Sequence, residues 1–390
     1  MFGLSALGSD SRHEFRTYVD EVVYPFSNEW EERQSMPETV IRDFGARGYL
    51  GAFLPEVWGG REMDNLTFGL LCAELARGSV SLLSMLTVHT MTSQAILRWG
   101  GDSLKKRWLP DLASGSVGAA FALTEPNIGS DASSISTVAV PDGNGYVLNG
   151  TKKWISFSAG AGLFLVVARC PDDGPAAFII TRDTPGFTIE PMTGLLGFRA
   201  AGVGELTFTD CRIGADSLLG RSGGGFSFVA SHALDHGRYC VGWGGVGLIG
   251  GCLEACAEYA RTRIQFGQPL RSHQLVQGMV ADMAADLEAS MSLAMRAAAS
   301  REAMEPESIM ITSIAKYFSS KAALRASADA VQIHGGNGCS PDYPVQRYYR
   351  DAKILEIIEG SSQMQQLMIS RDVFTGVLTQ RNRRRKRNDG

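Results

Sequence analysis

The spacing of apolar residues changes period twice along the chain and divides it into three blocks. Up to about residue 118 the spacing is helical. Leu66, Leu70, Leu71 and Leu75 share one face behind an Asp64 cap, and 79–98 is apolar almost all round, which predicts the central helix of a bundle. Ser11-x-x-Glu14 and Ser35-x-x-Glu38 read as capping boxes, opening helices through Tyr18, Val22 and Tyr24 and through Val40, Ile41 and Phe44. Asp102 opens a short helix that ends near Gly115. From 119 the period becomes two. Short strands are predicted at 119–123, 136–140, 146–149, 163–169, 177–181 and 205–209, with Asp142-Gly143-Asn144-Gly145 as a hairpin turn. Strands with so little helix between them predict a compact antiparallel barrel or sandwich. From Gly224 the helical period returns over 226–262, 274–301 and 308–332, lengths suited to an antiparallel four-helix bundle, with a last helix from Ser361 to about Leu378. The expected class is α+β: an N-terminal helical domain (1–118), a central β domain (119–220), a C-terminal helical bundle (221–378) and a basic tail (379–390). The tail, Arg381-Asn382-Arg383-Arg384-Arg385-Lys386-Arg387, has no apolar face and reads as a disordered, solvated end, with an acidic partner surface as the second reading.

Composition narrows the function classes. The 390 residues are 44% hydrophobic and 20% charged, an ordinary globular balance, and a net charge of -4 gives no reason to expect nucleic acid as a partner. Seven scattered cysteines, with no C-x-x-C pair and no basic, apolar leader at Met1-Phe2-Gly3-Leu4-Ser5, fit a reducing cytoplasm. No apolar run reads as long enough to span a bilayer, and no His/Asp/Glu cluster has metal-ligand spacing.

The candidate chemistry lies in short polar interruptions of apolar stretches. In Ile357-Ile358-Glu359-Gly360-Ser361 an acid stands between isoleucines and a glycine. Burial would raise its pKa and suit it to general-base work; a capping acid near a helix start is the alternative. Ser361 is a natural N-cap for the helix that follows. Thr124-Glu125-Pro126-Asn127-Ile128-Gly129-Ser130-Asp131 leaves a strand and offers backbone N–H and hydroxyl donors to a polar ring edge, or is an ordinary strand-end turn. Lys153-Trp154-Ile155-Ser156 offers a flat aromatic beside a hydroxyl, or a core tryptophan. Arg261-x-Arg263-x-x-Phe266-Gly267 offers a guanidinium for a phosphate, or a surface arginine. Gly245-Val246-Gly247-Leu248-Ile249-Gly250 matches a dinucleotide loop only in letters: no strand precedes it and no acid follows at the required distance. Close helix packing explains it better, and a nicotinamide cofactor has little support.

Taken together these stretches resemble the acyl-CoA dehydrogenase family over nearly the whole chain. The likeness runs through Glu74-Leu75-Ala76-Arg77, Thr124-Glu125-Pro126 with Gly129-Ser130-Asp131, and Gly150-x-Lys152-x-Trp154-Ile155-Ser156. It continues in Arg263-x-Gln265-Phe266-Gly267-x-Pro269-Leu270 with Gln274, in Gln332-Ile333-His334-Gly335-Gly336-x-Gly338, in Arg347 with Arg350-Asp351, and in Glu359-Gly360-Ser361-x-Gln363. The resemblance implies FAD held between the β domain and the C-terminal bundle. Flavin-ring contacts map to Leu123, Thr124, Gly129, Ser130, Trp154 and Ser156. Cross-subunit contacts to the pyrophosphate and adenine end map to Arg263, Phe266, Gln274, Gln332, Gly335 and Gly336, and Ser361 and Gln363 match further FAD contacts. A cofactor shared in this way implies at least a homodimer, and the family is usually a homotetramer. Electron-transferring flavoprotein is the family's usual electron acceptor.

The resemblance also implies a mechanism. Glu359 would remove a proton from C2 of an acyl thioester while a hydride equivalent leaves C3 for flavin N5, with substrate contacts at Ser130, Asp235, Arg238 and Gly360. The position where a minority of the family carry the base is Gly237 here. Three segments, 198–202, 240–247 and 350–362, look most like a branch that oxidises short acyl groups on an acyl carrier protein for hydroxy-, methoxy- or aminomalonyl extender units of polyketides. There are departures: Ser156 stands where threonine is common, Asn127-Ile128 replace smaller residues, and Ile358 stands where an aromatic is frequent. The expected activity is therefore FAD-dependent oxidation of a short acyl thioester on a carrier protein or CoA. The alternatives are an ordinary catabolic short-chain acyl-CoA dehydrogenase and an oxygen-using flavin oxidase or monooxygenase on the same fold. Retention of Glu359 argues against the monooxygenase.

Overall fold

The computed structural model describes residues 9–388, and the side chains of 10–375. The first block holds helices α1 (Ser9–Tyr18), α2 (Ser27–Arg33), α3 (Glu38–Ala46), α4 (Asn65–Gly78), α5 (Val80–Trp99) and α6 (Asp102–Ser114). The cap at Asp64 is as expected, accepting from Thr67 N at 2.7 Å, while Ser79, read from the sequence as the first residue of its helix, is instead the cap of α5, accepting from Leu82 N at 3.3 Å. The two capping boxes do not form. Ser11 lies inside α1, and Glu14 instead takes Tyr49 Oη–H and Arg61 Nη1–H, each at 2.9 Å. Pro37 occupies the cap position of α3 with no side-chain bond.

The middle block is one eight-stranded sheet: β1 (Ala119–Ala122), β2 (Val138–Asp142), β3 (Gly145–Ile155), β4 (Leu163–Cys170), β5 (Gly174–Thr181), β6 (Phe187–Pro191), β7 (Gly204–Gly214) and β8 (Leu218–Leu219), seven of them in the order β6-β7-β3-β2-β4-β5-β8 and β1 off this path beside β4. It is mixed rather than antiparallel. β1 pairs parallel with β4, Ala119 opposite Leu163 through Ala122 opposite Val166, and β2 touches β4 in parallel at Val138 and Arg169. β1 is buried along its whole length and β4 everywhere but Arg169, the continuous burial that parallel pairing favours. β6 and β8 escaped sequence reading because they are short segments at the two ends of the sheet, with little alternation to betray them.

The third block is α7 (Ser231–Thr262), a small hairpin of β9 (Ile264–Gln265) and β10 (Gln268–Pro269), α8 (Gln274–Glu302), α9 (Ser308–His334), α10 (Val345–Ile357) and α11 (Ser362–Asn388). A π-helical turn, Gly225–Ala230, leads into α7. The glycine run in α7 is a packing seam. A Cβ on Gly247 would lie 1.9 Å from the Ala73 carbonyl oxygen of α4, and one on Gly245 would lie 2.7 Å from Ser319 Cβ of α9. α11 does not stop near Leu378; its backbone stays helical to Asn388, where a disordered tail was expected. Arg and Lys are good helix formers, and neither Gly nor Pro interrupts 377–388. Two helices, Val80–Trp99 and Gly225–Thr262, are long and apolar enough to cross a membrane by length and composition, contrary to the sequence reading. Their apolar windows are 89% and 72% buried inside the fold, as core helices are.

The three blocks meet at a buried polar junction that sets where α10 lies. Glu31 of α2 accepts the Arg199 and Ala200 N–H groups at 3.0 and 3.1 Å, and Ser81 Oγ–H of α5. Asp351 of α10 accepts Phe198 N–H at 2.9 Å, and Arg347 Nη1 donates to the Gly78 carbonyl at 2.9 Å. The residues that follow α10 are thereby held against both neighbouring domains.

Candidate functional site

After α10 the chain turns sharply. Ile358 is extended, then Glu359 and Gly360 take φ of 55° and 89°, both left-handed. Such a conformation is costly for a glutamate and is held by its surroundings. Arg238 Nε of α7 donates to the Glu359 carbonyl at 3.1 Å. Gln365 Nε2 of α11 donates to the Glu359 and Gly360 carbonyls at 3.2 and 3.1 Å, and Lys316 Nζ of α9 donates to the Gly360 carbonyl at 2.9 Å. Ser361 caps α11, its Oγ accepting Met364 N–H at 3.4 Å.

The Glu359 side chain turns towards α7. Glu359 as a residue is part-exposed, but its Oε2 is sealed from solvent and has no hydrogen-bond partner. It sits where Gly237 has no side chain: a Cβ there would be 2.3 Å from Oε2 and 2.4 Å from Cδ. Burial pushes the carboxyl up to about 7, against the opposing pull of Arg238 and Lys316. The flanking isoleucines do not supply this burial. Ile357 is 54% exposed and Ile358 is part-buried, so the enclosure is tertiary. Asp235, two residues before Gly237 on α7, is held by Arg301 at 2.5 Å, and its Oδ1 is buried without a partner.

A second group lies at one edge of the sheet. The pairing of β3 with β7 slips between Lys152 and Ile155, and Trp154 there has φ 62° and is 52% exposed. The bulge turns the indole out while Lys152 points fully inward. Lys152 Nζ reaches Glu125 at 2.7 Å and the Leu123 carbonyl at 2.9 Å. Glu125 also accepts Ser136 N at 2.7 Å, Ser136 Oγ at 2.5 Å and Thr137 N at 2.9 Å. Burial works to raise the Glu125 carboxyl, but these bonds outweigh it and hold it at about 2. Burial brings Lys152 down to about 8, so the pair is charged at neutral pH. This pair pins the base of the loop whose tip carries Gly129 and Ser130, both exposed. Thr124 is tied to the bulge by Lys153 N–H donating to its carbonyl at 2.8 Å, and Leu123 is buried beneath. The surface here combines an exposed indole with the Ser156 and Ser130 hydroxyls, a donor set that suits the edge and face of a flavin ring.

The third group is elsewhere. Arg263 directly follows α7, and Gly237 lies near the start of that helix, so the two are about 39 Å apart at the rise of an α-helix. Arg263, Phe266, Gln274, Gln332, Gly335 and Gly336 are all exposed, Phe266 at 96%. They share one end of the bundle, where Tyr259 of α7 stacks on His334 of α9 at 4.2 Å. Gln363 is exposed on α11.

Sequence reading singled out Glu359, Arg238 and the strand-end loop, but not Lys316, Gln365 or the Glu125–Lys152 pair. One signal was available: Lys316 falls in helical phase with Thr312, Ser313, Ser319 and Ser320, all buried, where a solvated lysine does not belong.

Residues 9–116, 120–211 and 223–374 match, in order, the family descriptions acyl-CoA dehydrogenase N-terminal, middle and C-terminal domain. The chain is 35% identical over 375 residues to a probable acyl-CoA dehydrogenase, FadE25, of Mycobacterium tuberculosis, covering 95% of this chain and 96% of that one. Among solved structures it is similar to butyryl-CoA dehydrogenase from Megasphaera elsdenii, with 32% identity, TM-score 0.89 and coverage of 94% and 98%. It is also similar to FkbI, for biosynthesis of the methoxymalonyl extender unit of the polyketide Fk520, with 30% identity, TM-score 0.86 and coverage of 94% and 99%.

Proposed function

This chain belongs to the acyl-CoA dehydrogenase family, FAD-dependent oxidoreductases acting on the CH–CH bond of acyl thioesters, and on that premise we propose that it oxidises a short acyl thioester with Glu359 as the base. The observation that carries the reading is the Glu359 carboxylate, whose Oε2 is sealed from solvent, unpartnered, and seated in the space left by Gly237. A carboxylate with no hydrogen bond of its own is available to a substrate C2 proton, and a pKa near neutrality suits it to take that proton. The Gly360 carbonyl is occupied by Lys316 and Gln365, which fixes the turn, and Arg238 holds the Glu359 carbonyl so that the side chain alone is free to act. When bound, FAD supplies the acceptor for the hydride equivalent leaving C3. Leu123, Thr124, Gly129, Ser130, Trp154 and Ser156 would hold its ring, and Ser361 and Gln363 would contact it from the third block. Ser130, Asp235, Arg238 and Gly360 would line the thioester.

Distance supports a cofactor shared between chains. The Arg263 group is about 39 Å along α7 from the Glu359 wall, too far to serve the same ring, and exposed, as groups that serve a neighbouring chain's FAD would be. The assembly is therefore read as a homodimer or homotetramer, with electron-transferring flavoprotein as the electron acceptor. The substrate is read as a short acyl group on an acyl carrier protein in polyketide extender-unit biosynthesis, supported by the three matching segments and the likeness to FkbI. The likeness to FadE25 and butyryl-CoA dehydrogenase favours a second reading, a short acyl-CoA. The buried free thiols support a cytoplasmic setting. Anaerobic mixing with short acyl thioesters, each on CoA and on a carrier protein, separates the readings: flavin bleaching by the carrier series alone supports the first, by CoA esters alone the second. Bleaching by neither overturns both.

A further inference from the structure

Lys316 is an unusual lysine. It lies on α9 with no exposed surface, and no carboxylate is within ion-pair distance of it among the described residues. Its ammonium is spent on the turn that carries the base: Nζ donates to the Gly360 carbonyl at 2.9 Å and approaches the Glu356 carbonyl at 3.4 Å, bridging the last turn of α10 to the residue after Glu359. Burying an ammonium is costly, and two carbonyls only partly replace its water. The compensating charge is the Glu359 carboxylate, the group that most favours the charged lysine.

We propose that Lys316 is the positioning residue of Glu359, holding the strained turn by its bond to the Gly360 carbonyl and keeping the carboxylate ionised by its charge, from a side that leaves the carboxylate oxygens free for substrate. Two independent features of the geometry carry this. Glu359 and Gly360 are successive left-handed residues, so the turn needs external donors, and Lys316 meets it from a helix that Gln365 and Arg238 do not belong to. And the bonds of Lys316 and Arg238 go to backbone carbonyls, not to the carboxylate, so their charge favours ionisation without occupying the acceptor that must take a proton. The groups facing Glu359 are Arg238 and Cys240 of α7 and Lys316 of α9; Glu356 of α10 faces Lys316, and Asp235 faces Arg238. Cys240 and burial oppose ionisation, and the two cations favour it. Loss of one cation therefore moves the balance towards the protonated acid.

The proposal rests on Glu359 being the base, and the test separates the two. Steady-state kcat and KM are measured against pH in the FAD-loaded enzyme for wild type, K316Q, K316M, K316R and E359Q, with flavin content from the visible spectrum. K316Q keeps a donor without the charge; K316M loses both; K316R keeps both. The acid limb of kcat is expected to move up by about one pH unit in K316Q and K316M, the effect of removing one nearby opposite charge, and to stay in place in K316R. On the plateau K316M is expected to lose about tenfold or more in kcat relative to K316Q, because its turn is no longer held, with KM little changed and flavin retained. An unmoved acid limb in K316Q, with only thermal stability lowered, overturns the proposal. Should K316M not fold, the K316Q and K316R limbs still decide it. Full turnover in E359Q removes the base assignment itself, whatever Lys316 does.

Discussion

The Oε2 of Glu359 occupies the space that a side chain on residue 237 would fill. A methyl group at Gly237 would come within 2.3 Å of that oxygen, a distance at which something must move. Interiors are packed too tightly to absorb such an overlap without shifting the carboxylate. Gly237→Ala is therefore expected to cut kcat by about a hundredfold, the usual result of misplacing a reacting group by an ångström, with FAD content unchanged. Wild-type kcat in the alanine variant would show that the carboxylate acts from another position.

The raised Glu359 pKa sets a pH dependence. In the proposed role Glu359 must be ionised to act, and burial holds its carboxyl protonated up to about pH 7. Turnover is expected to fall as pH drops through that value and to level off above it. Glu359→Gln should lower kcat by a factor of about 10⁴ while leaving the flavin bound, the upper range for losing a general base. Rapid-mixing reduction of the flavin measures both.

The Glu125–Lys152 pair is predicted to be structural. Lys152→Met strands a buried carboxylate and should cost about 3 kcal/mol or more in unfolding free energy, along with flavin retention, because the loop with Thr124 and Ser130 loses its anchor. The folded Glu125 pKa is depressed to about 2, so its contribution is present above the unfolded value near 4.5 and is lost as pH falls from there towards 2. Chemical denaturation from pH 7 to pH 3 reads this out; a K152M protein as stable as wild type would contradict it.

Asp351 carries the opposite sign. Burial, with Glu31 nearby, pushes its carboxyl up to about 7, and its Oδ2 has no partner. The ionised form burdens the folded state, so the contribution of Asp351 to stability should decline as pH rises from about 4 to 7 and stay flat above. Asp351→Asn can keep the bond from Phe198 N–H and carries no charge. It should gain on the order of 2 kcal/mol at pH 8 and nothing at pH 3. Equal stability of the two proteins at pH 8 would remove the argument.

Arg263→Ala is expected to lose FAD on gel filtration while the monomer fold, read by far-UV circular dichroism, is kept. Arg263 is exposed, and no other side chain bonds to it within the described residues. The proposed phosphate contact can therefore be removed at little cost to the fold. Unchanged flavin occupancy would rule the contact out.

Much of this protein was legible in one dimension. The change from helical to alternating spacing and back marks the three blocks, because both periods follow from local geometry. The acid in Glu359-Gly360-Ser361 and the strand-end loop at Thr124 stand out because polar residues interrupt apolar runs. What tertiary structure alone decided is the environment of those residues. The seat of the Glu359 carboxylate is the gap at Gly237 and its turn is held by Lys316, both remote in the chain, while one of its isoleucine neighbours is exposed. The parallel pairing of β1 with β4 depends on which runs are covered on both faces, and alternation says nothing about partners. Period and motif report what each residue does to its own backbone; pKa, strain and access are set by what the fold brings against it.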